Sequence, residues 1–353
     1  MLRPLPRWLS VLIGLVIIVV VGSIVLFSTG VANQAVENTI ATFHHVFAPA
    51  NVPTITAHAT VTATLTTPTT PATPVTGKKT VFLILMENHN WSDIKYSSSA
   101  PYINHTLLPQ ASYAEQYYNP PGIHPSEPNY LWLEAGTNFG ILNDANPDAN
   151  HQNTTNHLVT LLNKAGISWK SYQEDISGTV CPLTEDGAYA PKHNPMVFFD
   201  DVTNTNDAHS SYCIAHVRPY HELTTDLQQQ TGARYNFITP NLCNDMHDSC
   251  APLNDPVKQG DTWLAQNLPA ILNSQAYKNG GIVFITWDEG EGGDGPIGMI
   301  VLSPDAKGGG YANTIHYTHS STLRTLEEIF GVTPLLGDAA QATDLRDLFK
   351  TYP

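Results

Sequence analysis

Basic side chains are scarce in this chain of 353 residues: 16 Lys and Arg stand against 31 Asp and Glu, a formal net charge of -15. Nucleic-acid binding needs basic patches, so that partner class is excluded. Between Arg7 and Lys78 there is no Lys or Arg at all, and residues 38–77 lack Asp and Glu as well. Cysteine is limited to Cys181, Cys213, Cys243 and Cys250, with no C-x2-C pair, which disfavours a structural zinc site. The glycines between Gly290 and Gly298 lack a following Lys-Ser/Thr, so they do not form a phosphate-binding P-loop. No internal repeat is present.

What is there divides the chain into four parts. Arg3 and Arg7 precede an apolar run from Trp8 to Phe27, long enough to cross a bilayer as a helix. With both arginines before it, the positive-inside rule puts residues 1–7 in the cytoplasm and everything after residue 27 outside it. An uncleaved signal-anchor over 8–27 is expected; the small residues Gly30 to Ala32 leave cleavage and secretion as the alternative. Residues 28–77 follow as a linker, dominated by Thr from Thr54 to Thr76 and kept extended by Pro68, Pro71 and Pro74. Residues 78–353 then form the folded domain. Export implies oxidised cysteines. The short spacing pairs Cys243 with Cys250 and leaves Cys181 with Cys213.

Within that domain, buried-strand patterns alternate with helical ones. "TVFLILM", "ISWKSYQED", "YNFITPN", "GIVFITWDEG" and "GMIVLSP" read as strands. "NHLVTLLNKAG" reads as a helix stopped by Gly166, and "DTWLAQNLPAILNS" as a helix kinked or restarted at Pro269. "SSTLRTLEEIFG" reads as a helix with serine at its start and Gly331 at its end. Such alternation predicts an α/β fold with a mostly parallel central sheet. In such sheets ligands sit beyond the carboxyl ends of the strands. Two strands end in acid, at Glu87-Asn88 and at Asp288-Glu289. If those strands are parallel neighbours, their oxygens meet at one rim and call for a cation: Ca, Mg or Mn first, Fe or Zn also. The competing reading makes each acid a cap on the following turn. Ser126, between Pro125 and Pro128, is a nucleophile held at the rim or a plain helix cap.

The blocks "MENHNW", "HPSEPNYLWLEAG", "KHNP", "ITPNLCNDMHD", "TWDEGEG" and "HYTHSSTLRTLEEIFG", in this order, resemble the bacterial phosphoesterase family. That family includes acid phosphatases and phospholipases C and is related to the alkaline phosphatase superfamily. The resemblance implies a three-layer sandwich and a metal-dependent phosphoric ester hydrolase. Position by position, it implies a site for one divalent ion at Glu87, Asn88, Ser126, Asp288 and Glu289, with Ser126 as the metal-bound nucleophile. It also implies His193 and His247 around the phosphoryl group, one of them protonated. His89, His124, His316 and His319 rank behind them. The substrate implied is a small phosphate monoester. A phospholipid headgroup, cleaved as by a phospholipase C, is the alternative, for which Trp91, Tyr117, Tyr118 and Trp132 could line a choline pocket. A non-catalytic binding module is the remaining rival. Its mark would be loss of Ser126 or the carboxylates, and all are present.

Overall fold

The computed structural model describes residues 79–352. The expected span at 8–27 and linker at 28–77 lie outside the described residues. Among the described residues no helix is long and apolar enough to cross a membrane.

The described residues form ten strands: β1 Val81–Met86, β2 Ser112–Ala114, β3 Tyr117–Tyr118, β4 Trp169–Gln173 and β5 Val217–Pro219, then β6 Tyr235–Thr239, β7 Ile282–Trp287, β8 Met299–Leu302, β9 Tyr311–Asn313 and β10 Tyr317–Thr318. Eight form one sheet in the order β5-β4-β6-β1-β7-β8-β2-β9, and β10 pairs with β3 in a small second sheet. Only β8 runs against the other seven strands of the large sheet. The fold is therefore α/β with a mostly parallel central sheet.

Among the described residues the helices of seven residues or more are α1 Ser126–Ala135, α2 Leu158–Lys164, α3 Glu222–Gln229, α4 Pro256–Asn273 and α5 His319–Phe330. Helices α1, α2 and α5 pack on one another. They meet the sheet through Tyr130 on Phe237 and Phe330 on Tyr235. Phe237 lies beside Leu83 in the β1–β6 register, so Leu83 shares that face and Met86, three residues on, points to the opposite one. There it meets α4, where Gly260 has no room for a side chain: a Cβ would come within 2.8 Å of Met86 Cε. Helix α3 packs on α4. Strand β1 is completely buried because helices cover both sides of it.

Two helix boundaries differ from the sequence reading. Helix α4 starts five residues before Asp261, at Pro256, because the Asp255 side chain accepts from Lys258 N and caps it; it also runs through Pro269 without ending. Helix α5 starts at His319, one residue before the predicted serine. Thr318 is its N-cap and Ser321 closes the capping box, while Gly331 ends it in the left-handed conformation as expected.

Both predicted disulfides are formed, Cys181–Cys213 and Cys243–Cys250, with Cα separations of 5.5 and 5.7 Å. Each lies in the usual range for a bridge.

Candidate functional site

The register of β1 against β7 puts Met86 beside Trp287, so Glu87 and Asp288 leave the sheet side by side. The condition set by the sequence, that these strands be parallel neighbours, is met. Asn88 then turns the chain in a left-handed conformation, φ 46°, which Asn tolerates better than most residues. This turn lets its backbone N–H donate to Asp288 Oδ1 at 3.0 Å. A third acid comes from the loop after β6: Asp245, whose carbonyl accepts from Glu87 N at 2.8 Å. Sequence analysis missed Asp245. The available signal was the same one that exposed Glu87 and Asp288, an acid shortly after a buried strand.

Ser126 is the first residue of α1, where the positive end of the helix dipole favours an anion. Its hydroxyl donates to Glu87 Oε2 at 3.0 Å. The other oxygen, Glu87 Oε1, lies 3.2 Å from His193 Nε2, yet no hydrogen bond joins them. His193 Nδ1 sits 3.1 Å from Asp245 Oδ2 and its ring stacks on Tyr130. Donation from Nδ1–H to Asp245 leaves the Nε2 lone pair facing a carboxylate oxygen, two acceptors in contact. Asp288 Oδ2 is also buried without a partner. Unsatisfied buried polar atoms are rare in native proteins and cost free energy. Glu87 Oε1 and His193 Nε2, in contact and both unanswered, fit a cation, and Asp288 Oδ2 stands unanswered at the end of the neighbouring strand. The pattern of carboxylate, histidine and open Nε2 is the one that supports metal-ligating imidazoles.

Charge crowding points the same way. Burial, then Asp288 and Asp245, push the Glu87 carboxyl well above its usual range. Burial also lifts Asp245 and Asp288. Burial, then Lys192 and His247, drive His193 well below its ordinary value. Of the two histidines, one of which the sequence reading expects to be protonated, His193 is the one whose burial and neighbouring lysine disfavour the charge.

His247 is placed differently. Distance alone groups it with Glu87 and His193 as a third ligand. Its two ring nitrogens already have protein partners, Asp248 Oδ1 at 2.8 Å and Lys192 Nζ at 3.3 Å. Glu87, His193 and His247 are thus the donors close enough together to share one ion, with Lys192 and Asp248 holding His247 at the edge of the group. Lys192 also donates to Asp144 Oδ2 at 3.1 Å. Burial works against its charge, but Asp144 and Glu87 outweigh it and hold the ammonium above its ordinary range.

Glu289 is a neighbour of the cluster whose Oε2 is already used, by His124 Nδ1 at 2.5 Å and Asn129 Nδ2 at 3.1 Å. Burial and Asp288 lift it to about 7. His319 lies beneath the rim, its Nε2 donating to the Asp288 carbonyl at 2.6 Å. His316 stacks against Tyr118, away from the acids. A cleft of about 560 Å³ opens beside the cluster, lined among others by Asn88, His89, His124, Met246, His247 and Glu289. His89 is buried there with both ring nitrogens unpartnered. The aromatics considered for a choline pocket lie elsewhere. Trp91 packs on Tyr113 and Trp287, Tyr117 bonds Thr322, and Trp132 donates to Ser320.

A buried acid-histidine cluster next to a helix-borne serine, at the carboxyl edge of a mostly parallel sheet, defines a class of α/β hydrolase site. The sequence profile of the Phosphoesterase family matches residues 96–333, and the chain belongs to that family. It is 32% identical over 270 residues to a phosphatidylinositol-3-phosphatase of Mycobacterium tuberculosis, covering 76% of this chain and 82% of that protein. It is 30% identical over 226 residues to a phosphate-repressible acid phosphatase of Penicillium chrysogenum, covering 61% of this chain and 51% of that one. The chain thus spans about half the length of such fungal relatives. Among solved structures, murine ectonucleotide pyrophosphatase/phosphodiesterase 5 matches with a TM-score of 0.50 at 11% identity, over 77% of this chain and 100% of that one; the likeness concerns the fold alone. A protein in the alkaline phosphatase superfamily from Vibrio parahaemolyticus matches with a TM-score of 0.48 at 11% identity, over 73% of this chain and 67% of that one. The chain is a phosphoric ester hydrolase.

Proposed function

We propose that this protein hydrolyses phosphate monoesters outside the cytoplasm, with one divalent metal ion and through a phosphoserine at Ser126. The observation that carries the reading is that Glu87 Oε1 and His193 Nε2, 3.2 Å apart, and Asp288 Oδ2 at the end of the neighbouring strand are all buried and unpartnered, beside the Ser126 hydroxyl. Glu87 and His193 would hold the ion, with Asp288, Asn88 and Glu289 flanking them. A bound divalent ion supplies charge neutralisation at the phosphoryl oxygens and lowers the cost of ionising a nearby hydroxyl. Glu87 aligns Ser126 Oγ through its Oε2, and the first turn of α1 favours the anionic phosphoryl group. Ser126 Oγ bonds to phosphorus as the ester oxygen departs, and water then releases phosphate from the serine. His247 lines the cleft, and its imidazole would serve the departing oxygen as an acid once substrate displaces the Lys192 contact at its Nε2. Asp245 fixes the tautomer of His193.

The monoester preference takes support from the names of the relatives, acid phosphatases and a phosphatidylinositol-3-phosphatase. A headgroup monoester at a membrane would suit the apolar run at 8–27 as anchor and the Thr/Pro-rich linker as tether. Two disulfides support an oxidising compartment. Helices on both faces of the sheet support the three-layer, alkaline-phosphatase-like architecture.

Mass spectrometry of enzyme quenched in acid during turnover tests the covalent step. Phosphate on Ser126 is expected. Unmodified protein, with inversion at a chiral phosphorus, would replace the double displacement by direct attack of water.

A further inference from the structure

The site collects negative charge faster than the sequence suggests. Glu87, Asp245 and Asp288 share one rim, and Asp144 stands close enough to Glu127 and Glu289 to raise both carboxyls. A phosphate monoester brings about two more negative charges near neutral pH, whereas a diester brings one. One cation in the rim does not distinguish the two esters by itself, because both share the oxygens it would neutralise. A second, fixed positive charge on another side of the phosphorus would.

Lys192 is placed to be that charge. It immediately precedes His193, and its ammonium lies 3.3 Å from His247 Nε2 and 3.1 Å from Asp144 Oδ2. An ammonium has three donors; these contacts use two. Asp144 does more than neutralise it. Its other oxygen, Oδ1, accepts from the backbone N–H of Glu127 at 3.0 Å, the residue after the nucleophile. One carboxylate therefore ties the lysine to the end of α1 that carries Ser126. Only about a fifth of the lysine side chain and a quarter of the aspartate are exposed (21% and 24%), so the pair is not an ordinary solvated surface bridge. In a wholly acidic neighbourhood, holding a lysine against the site's own histidine has a structural reading, local neutralisation. It also has a functional one, recognition of the substrate's extra charge.

We propose that Lys192, positioned by Asp144, reads the second negative charge of a phosphate monoester and so sets the preference of this site for monoesters over diesters. The proposal rests on the phosphoesterase reading of the Ser126 site and makes Lys192 its specificity-determining residue. Asp144 acts through Lys192 and is a positioning residue.

The test compares 4-nitrophenyl phosphate with bis(4-nitrophenyl) phosphate, which share a leaving group and differ in charge, using the full chain. Lys192→Met should lower kcat/KM for the monoester by roughly ten- to a hundredfold while changing the diester less than about threefold. Lys192→Arg should restore much of the ratio, and Asp144→Asn should move it in the same direction as Lys192→Met by a smaller factor. Inhibition by inorganic phosphate should weaken in Lys192→Met, with bound metal unchanged. Equal losses on both esters, or no change on either, would overturn the proposal and leave the Ser126 site as described. A wild-type protein inactive on both esters would overturn the reading of that site and the proposal with it.

Discussion

Two clusters in this molecule bury a histidine among carboxylates, and they differ in one respect. Around His157 the polar groups are answered: Nδ1 meets Glu134 at 3.0 Å, Nε2 meets Asp201 at 2.9 Å, and Phe199 stacks on the ring at 3.8 Å between centroids. Val159 N and the Thr160 hydroxyl take further carboxylate bonds, leaving Glu134 Oε2 alone without a partner. Burial opposes the charge of His157, yet Asp201 and Glu134 raise its pKa. Around His193 four atoms on four residues go unanswered, the Tyr130 hydroxyl among them, and burial with Lys192 drives the pKa the other way. The first cluster leaves one oxygen unanswered at its edge. The second leaves its histidine and the facing carboxylate unanswered toward each other, as a site for a cation would. Residue type is the same in both, so composition cannot tell a structural histidine from a functional one; satisfaction of its neighbours can.

The comparison can be broken most sharply at the nucleophile. Ser126→Ala should lower kcat by about 10³-fold or more while the fold and the bound metal persist. His157→Leu should do the reverse. It should cost about 3 kcal/mol of stability or more by stranding Glu134 and Asp201, with metal content and kcat of the folded fraction unchanged. A metal loss in that variant would erase the distinction between the clusters. Asp245→Ala should weaken metal affinity by roughly ten- to a hundredfold, since it removes the group that orients His193. Calorimetry, metal analysis and steady-state turnover separate these three outcomes.

A smaller effect concerns pH. His157 and Glu134 both have folded-state pKa values above their ordinary ones, so each binds its proton more tightly in the native state. The contribution of His157 is fully present below its ordinary value near 6.5 and fades as pH rises through its raised folded value. Asp201 is shifted down, despite burial, by His157; its contribution is lost only as pH falls below its ordinary range near 3.9. The Tm of the wild type should therefore decline as pH rises above about 6.5, and His157→Gln should flatten that slope. An unchanged slope in the variant would place the titrating group elsewhere.

Much of the site was legible because strand ends are local. A run as apolar as Val81–Met86 leaves its next residue at a sheet edge, so Glu87 and Asp288 could be found without knowing the topology. Their meeting needed the β1–β7 pairing, which only the fold provides. Asp245 was harder: it lies six residues past β6, just before Met246 turns the chain at φ 85°. The reversed direction of β8 left no mark either, since a buried strand reads alike in both directions. Strands β2, β5 and β9, of three residues each, are too short for any periodicity. The environment of His193 could not be read locally, because it depends first on the burial of the whole ring, which only the fold provides.

The account stands on a cation completing the Glu87, His193 and Asp288 cluster. Its most direct test is turnover of a phosphate monoester by the full chain after exhaustive chelation, before and after a divalent cation is returned. The account predicts loss of activity with the metal and recovery on adding one equivalent per chain. Undiminished turnover by metal-free protein would contradict it.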